Sequence, residues 1–172
     1  LSKRERVERT LASQAVDRPV LHDQVSYNPA VVSHYTGRSI SGFDYSLEDV
    51  CTVIRASLDA CFPPVAPRGT ERVTTSDGFV IQNDNWTAWT VSRPFSDTRG
   101  AREWVLRTTD AIRSRPRDAG QARAAFREQV LGLQALLADT VIIDTSSHVG
   151  LCSCWSQVGL ELFSYLYADD PD

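Results

Sequence analysis

The chain has 172 residues, is 42% hydrophobic and 23% charged, and carries a net charge of −4 with a pI near 5.4. This is the balance of an ordinary globular protein with enough length for a sizeable core, and it argues against a nucleic-acid partner. No apolar run approaches the roughly 18 residues of a membrane span, and the charged, helical opening does not read as a signal peptide, so no membrane role and a cytoplasmic location are expected.

Taken in order, Ser2-Lys3-Arg4-Glu5 is a capping box that opens a helix to about Gln14, with Val7 and Leu11 on one face. Asp17-Arg18-Pro19 breaks it, and residues 19–23 read as a short strand ending in His22 and Asp23. Asn28-Pro29 opens a second helix, with the proline at its first position, and Thr36-Gly37 closes it. Ser46 caps a third helix, with Leu47, Val50, Val53, Ile54 and Ser57 inward. Leu58 to Phe62 is a second short strand, cut off by Pro63-Pro64 and a proline-rich loop.

The period then changes. Glu71 to Thr75 and Phe79 to Gln82 flank Ser76-Asp77-Gly78, a hairpin signal, and Trp86 to Val91 alternates as a third antiparallel strand. This β-rich insertion, about 70–94, is expected to form a flap. Asp97 caps a helix through Trp104, Leu106 and Ile112, ended by Pro116. A further helix follows from Asp118, through Phe126, Val130, Leu133 and Leu137.

The most informative stretch is Asp139 to Tyr167. Thr140 to Asp144 is a β-branched run of the kind buried on both faces of a parallel sheet. A polar turn with Ser146, Ser147 and His148 follows, then a helix on which Gly159, Leu160, Leu162, Phe163, Leu166 and Tyr167 recur at helical spacing. A strand that delivers polar residues into a loop and then a helix is the βα unit of α/β enzymes, and that loop usually faces the ligand.

Two groups of candidate rim residues emerge: His22 and Asp23 after the first strand, and Asp144, Ser146, Ser147 and His148 after the third. The plainer alternative is loop residues that satisfy turns and caps. Phe79, Trp86 and Trp89 are candidate flap residues over a large flat ligand, with cross-strand packing as their plainer role. Cys51 and Cys61 read as core thiols in a reducing compartment. His148, Cys152 and Cys154 invite a metal reading, but Cys-x-Cys is not the usual zinc spacing, so no metal ligand is assigned within these residues.

Together these segments resemble the N-terminal half of the uroporphyrinogen decarboxylase-like superfamily, which holds uroporphyrinogen decarboxylases and corrinoid-linked zinc methyltransferases. Four stretches carry the likeness. Ser2 to Val7 with Val16 to Val20 is similar to its opening helix and first strand, and His34 to Gly37 to the end of its next helix. Thr75 to Val80 with Trp86 to Pro94 is similar to its acidic-glycine hairpin. Gly159 to Phe163, with Tyr167 and Asp170-Pro171, is similar to the helix after its third strand.

The resemblance implies an α/β fold, the N-terminal part of a (β/α)8 barrel, with residues 1–172 as one incomplete barrel domain and strands at 19–23, 59–62 and 140–146. A whole barrel takes about 250 residues, so a fragment is expected. The lack of any Met, and a sequence that stops directly after a strong helix, point the same way.

Two departures shape the expected activity. The decarboxylases carry an Arg-Gln-Ala-Gly-Arg-Tyr run after the first strand, where this chain has His22-Asp23-Gln24-Val25-Ser26-Tyr27. Their catalytic Asp sits in Phe-Ser-Asp-Ile, whereas Phe95-Ser96-Asp97 here is followed by Thr98 and reads as a helix cap. The resemblance therefore implies corrinoid-dependent methyl transfer to a small thiol, with zinc ligands outside these residues and a corrinoid protein as partner. Decarboxylation of a tetrapyrrole, which would need no cofactor, is the alternative. A non-catalytic interaction domain on the same fold is the third reading.

Overall fold

The computed structural model describes residues 1–23, 28–116, 118–143 and 151–169, the side chains of 151–153 excepted. It is a mixed α/β protein with two three-stranded sheets among the described residues, neither closed on itself. The chain divides into two compact units, 1–69 with 119–145 and 70–118 with 146–172.

In the first unit, α1 (Lys3–Leu11) starts at Ser2, whose Oγ accepts from the Glu5 N–H at 3.1 Å. It ends three residues short of the expected Gln14. Ser13 takes a left-handed φ of 55°, and the Ser13 and Gln14 N–H groups bond back to Thr10 and Arg9. This double closure satisfies the last carbonyls and stops the helix. Val7 is buried as expected, but Leu11, in the final turn, is 79% exposed.

Helix α2 (Pro29–Thr36) is capped by Asn28, with Gly37 at φ 68° closing it. Helix α3 (Leu47–Ser57) has a reciprocal capping box: Ser46 Oγ accepts from the Asp49 N–H, and Asp49 Oδ2 accepts from the Ser46 N–H. Val50, Cys51, Val53 and Ile54 put its buried face into the core.

The three strands of the first sheet are shorter than their apolar runs: β1 is His22–Asp23, β2 Ala60–Cys61, and a third strand Val141–Ile142 comes after the second unit's strands. They lie parallel and in chain order, His22 opposite Ala60 and Ala60 opposite Val141. The first strand begins late because backbone N–H groups before it cannot pair in the sheet. Pro19 has no N–H, and the Leu21 N–H is taken by the Asp59 carboxylate at 2.9 Å. Helix α5 (Ala119–Leu136) leads into this third strand through Leu137 and Thr140, both fully buried. Phe126, on the apolar run of α5, is 51% exposed.

The second unit opens with a meander, β3 (Thr70–Thr74), β4 (Val80–Asp84) and β5 (Thr87–Ser92), as the alternation predicts. With these named, the parallel strand Val141–Ile142 is β6. Gly78 makes the first turn at φ +90°, and a Cβ there would stand 3.1 Å from Pro94. Trp86 is not a strand residue as expected. It shares the β4–β5 turn with Asn85, whose φ of 52° suits a tight hairpin. Helix α4 (Thr98–Ser114) is capped by Asp97, which accepts from the Gly100 N–H at 2.7 Å. The expected single last helix is two, α6 (Leu151–Val158) and α7 (Leu160–Asp169), because Gly159 breaks the run at φ +94°.

Candidate functional site

Parallel strands in chain order put the residues after each strand on one edge of the first sheet, the edge that faces ligands in βα proteins. On that edge stand His22 and Asp23, which make up β1, with Phe62 after β2 and Ile143 after β6. Both His22 and Asp23 are exposed. The His22 ring packs edge-on against Phe62, centroids 4.9 Å apart, which orients the imidazole. Neighbouring strand positions point to opposite faces, so His22 and Asp23 do not address one ligand from the same side. An oriented, accessible imidazole is a group that can give a proton to a bound ligand or take one from it. The other rim candidates, Asp144, Ser146, Ser147 and His148, lie outside the described residues. So do His148 and the Cys152 side chain of the suggested metal set. Among the described residues no three His, Cys, Asp or Glu side chains gather as a metal site.

The flap candidates part company. Phe79 is buried in an aromatic cluster, 5.3 Å from Trp104 and 6.1 Å from Phe95, and Phe95 stands 5.6 Å from Trp104. Trp89 sits on β5 opposite Gln82 and is 50% exposed. Trp86 is half-buried in its turn. Phe79 therefore has the plainer packing role, whereas Trp89 presents its ring to the surface.

Among the described residues the densest electrostatic arrangement was not foreseen from the sequence, and it lies at the opposite, N-terminal edge of the same sheet. Asp59 is fully buried. It accepts from Arg6 Nη1 at 2.7 Å, from Arg18 Nη1 and Nη2 at 2.6 and 2.9 Å, and from the Leu21 N–H. Burial works to raise its carboxyl pKa. The hydrogen bonds from Arg18 and Leu21 and the charges of Arg18 and Arg6 outweigh that and hold it below the usual carboxylate range. Arg6 also bonds Asp17 at 2.8 and 2.9 Å, which lowers the Asp17 carboxyl. Nearby Lys3, the only lysine, donates to the Arg55 carbonyl and, at 3.0 Å, to Thr140 Oγ1. Asp59 is held on all sides by these groups, so the cluster fastens α1 to the strand entrances and reads as structural. The signal in the sequence is a lone acid, Asp59, directly before a fully buried strand.

Cys51 and Cys61 are buried free thiols. Burial, with the neighbouring Cys51, pushes the Cys61 thiol up to about 11, and burial raises Cys51 as well. Both stay protonated at neutral pH, which makes them core residues and not nucleophiles.

Neither protein-family models, curated proteins nor solved structures yield a match to this chain.

Proposed function

We propose that the first unit is the opening part of a (β/α)8 barrel of the uroporphyrinogen decarboxylase-like kind, and that the protein takes part in corrinoid-dependent methyl transfer to a small thiol. What supports the reading is the strand order: three parallel strands adjacent in chain order, with helical segments between them. The first strands of a barrel keep this order, as does one half of a doubly wound sheet, so the choice of a barrel rests on the resemblance. The absence of arginine from residues 22–27 favours methyl transfer over decarboxylation, because nothing there would hold the carboxylates of a porphyrinogen. In this reading His22 orients or deprotonates the acceptor at the rim. The zinc ligands are drawn from outside residues 1–172, so no step depends on a metal held here.

The test is made on the full gene product. Its methylcobalamin should lose the methyl group when a small thiol such as 2-mercaptoethanol is added, followed by absorbance, and His22→Ala should slow this by two orders of magnitude, a typical acid–base loss. Decarboxylation of uroporphyrinogen without methyl transfer would overturn the reading in favour of the carboxy-lyase. Binding of neither cobalamin nor porphyrin would favour an interaction domain on this fold.

A further inference from the structure

The second unit contains a cavity of about 830 Å³ between the β4–β5 face, α4 and α6. Trp89, Trp104 and Trp155 line it, with Arg93, Arg115 and Asp77. We propose that this cavity binds a planar aromatic carboxylate, with the ring against the indoles and the acid on Arg93 and Arg115. The proposal stands on this unit's own residues and not on the methyl-transfer reading.

Three observations carry it. The first is wet aromatic surface turned inward on a concavity. Trp89 is 50% and Trp155 40% exposed, while Trp104, which lines the same cavity, is buried. Indole faces left half in water on the walls of one cavity favour a flat, apolar occupant, which would remove that area from water. The volume falls within the roughly 300–1,000 Å³ of small-molecule sites.

The second is charge. Six arginines of this chain, Arg6, Arg9, Arg18, Arg38, Arg55 and Arg99, are paired with carboxylates. Among the described residues neither Arg93 nor Arg115 has such a partner, although both line the cavity. The one acid on the wall, Asp77, accepts from Thr75 Oγ1 at 2.5 Å. The lining therefore carries an excess positive charge that a carboxylate would complement.

The third is that Arg93 is held in place. Its Nε donates to the Gln157 carbonyl at 2.8 Å, near the end of α6, and its guanidinium lies so close to Gly159 that a Cβ there would come within 3.2 Å. An anchored Nε leaves the outer nitrogens as a fork, the geometry that receives a carboxylate with two hydrogen bonds. Neutral aromatics would gain the stacking but not this pairing.

The test is calorimetric titration of the full chain with 2-naphthoate and with its neutral counterpart 2-naphthylmethanol. Saturable naphthoate binding is expected, roughly tenfold tighter than the alcohol, the worth of one charge-assisted pair. Arg93→Gln and Arg115→Gln should each weaken naphthoate about fivefold to tenfold and leave the alcohol unchanged. Trp89→Ala should weaken both, and Arg113→Gln, on α4 outside the cavity, neither. Trp89→Phe replaces the alanine variant if circular dichroism shows it unfolded. Equal affinity for acid and alcohol, indifference to both arginine changes, or no saturable binding at all would overturn the proposal.

Discussion

Arg6 Nη1 donates to Asp59 Oδ1 at 2.7 Å, joining the first helix to the entrance of the second strand, 53 residues later in the chain. Arg18 completes the pair from the entrance of the first strand. A fully buried carboxylate with two guanidinium partners is costly to disturb, because removing one member strands the others without compensation. We expect Asp59→Ala to destabilise the protein by about 3 kcal/mol or more, read from urea midpoints at neutral pH.

The same pair sets the response to acid. The Asp59 and Asp17 carboxyls both lie below their ordinary range in the folded protein. Unfolding therefore takes up protons, and the stability they contribute is present above about pH 4 and lost as pH falls through the folded values. Urea midpoints should drop steeply on acidification below about pH 4, and the drop should be shallower in Asp59→Asn.

The buried thiols act at the other end of the scale. The Cys61 thiol, raised to about 11, favours the protonated form in the fold, so its contribution holds below the unfolded value and fades as pH climbs toward 11. Stability should decline above about pH 9, less so in Cys61→Ala. Iodoacetamide at neutral pH should alkylate exposed Cys154 while leaving Cys51 and Cys61 untouched until urea is added, as mass mapping would show.

Two glycines should respond in opposite directions to alanine. Gly159 needs φ +94° and lies against the Arg93 guanidinium, so Gly159→Ala should lower the melting temperature, at a cost of about 1–3 kcal/mol. Gly132 lies within α5 with open space around it, and Gly132→Ala should raise stability by about 0.5–1 kcal/mol.

The outer edge of β6 is covered by one side chain. Gln134 Nε2 donates to the Ala138 and Thr140 carbonyls at 3.1 and 2.8 Å, and its Oε1 accepts from the Ile142 N–H at 3.2 Å. These are the groups that a fourth strand would pair. If Gln134 is the true edge, Gln134→Ala should cost about 1–3 kcal/mol and speed hydrogen exchange at the Ile142 amide. If a further strand of the full protein takes that edge, both changes should vanish, which makes this variant a direct test of the barrel reading.

The sequence alone determined what is local. Caps at Ser2, Asn28, Ser46 and Asp97, the Gly37 stop, the antiparallel meander and the core placement of Cys51 and Cys61 were legible, because each rests on a few neighbouring residues or on a short period. Helix breaks were less so. Ser13 and Gly159 end their helices through single left-handed residues, and an apolar pattern that runs on past such a residue hides it. Only the tertiary structure decided the rest. Strand ends depended on where backbone groups found partners: the Leu21 N–H went to Asp59, and no periodicity encodes that. Asp59 meets Arg6 and Arg18 across 53 and 41 positions, and the cavity brings Trp89 and Arg93 together with Arg115 and Trp155. Charges and rings acquire a role from the partners that folding brings to them, and spacing along the chain does not fix those distances.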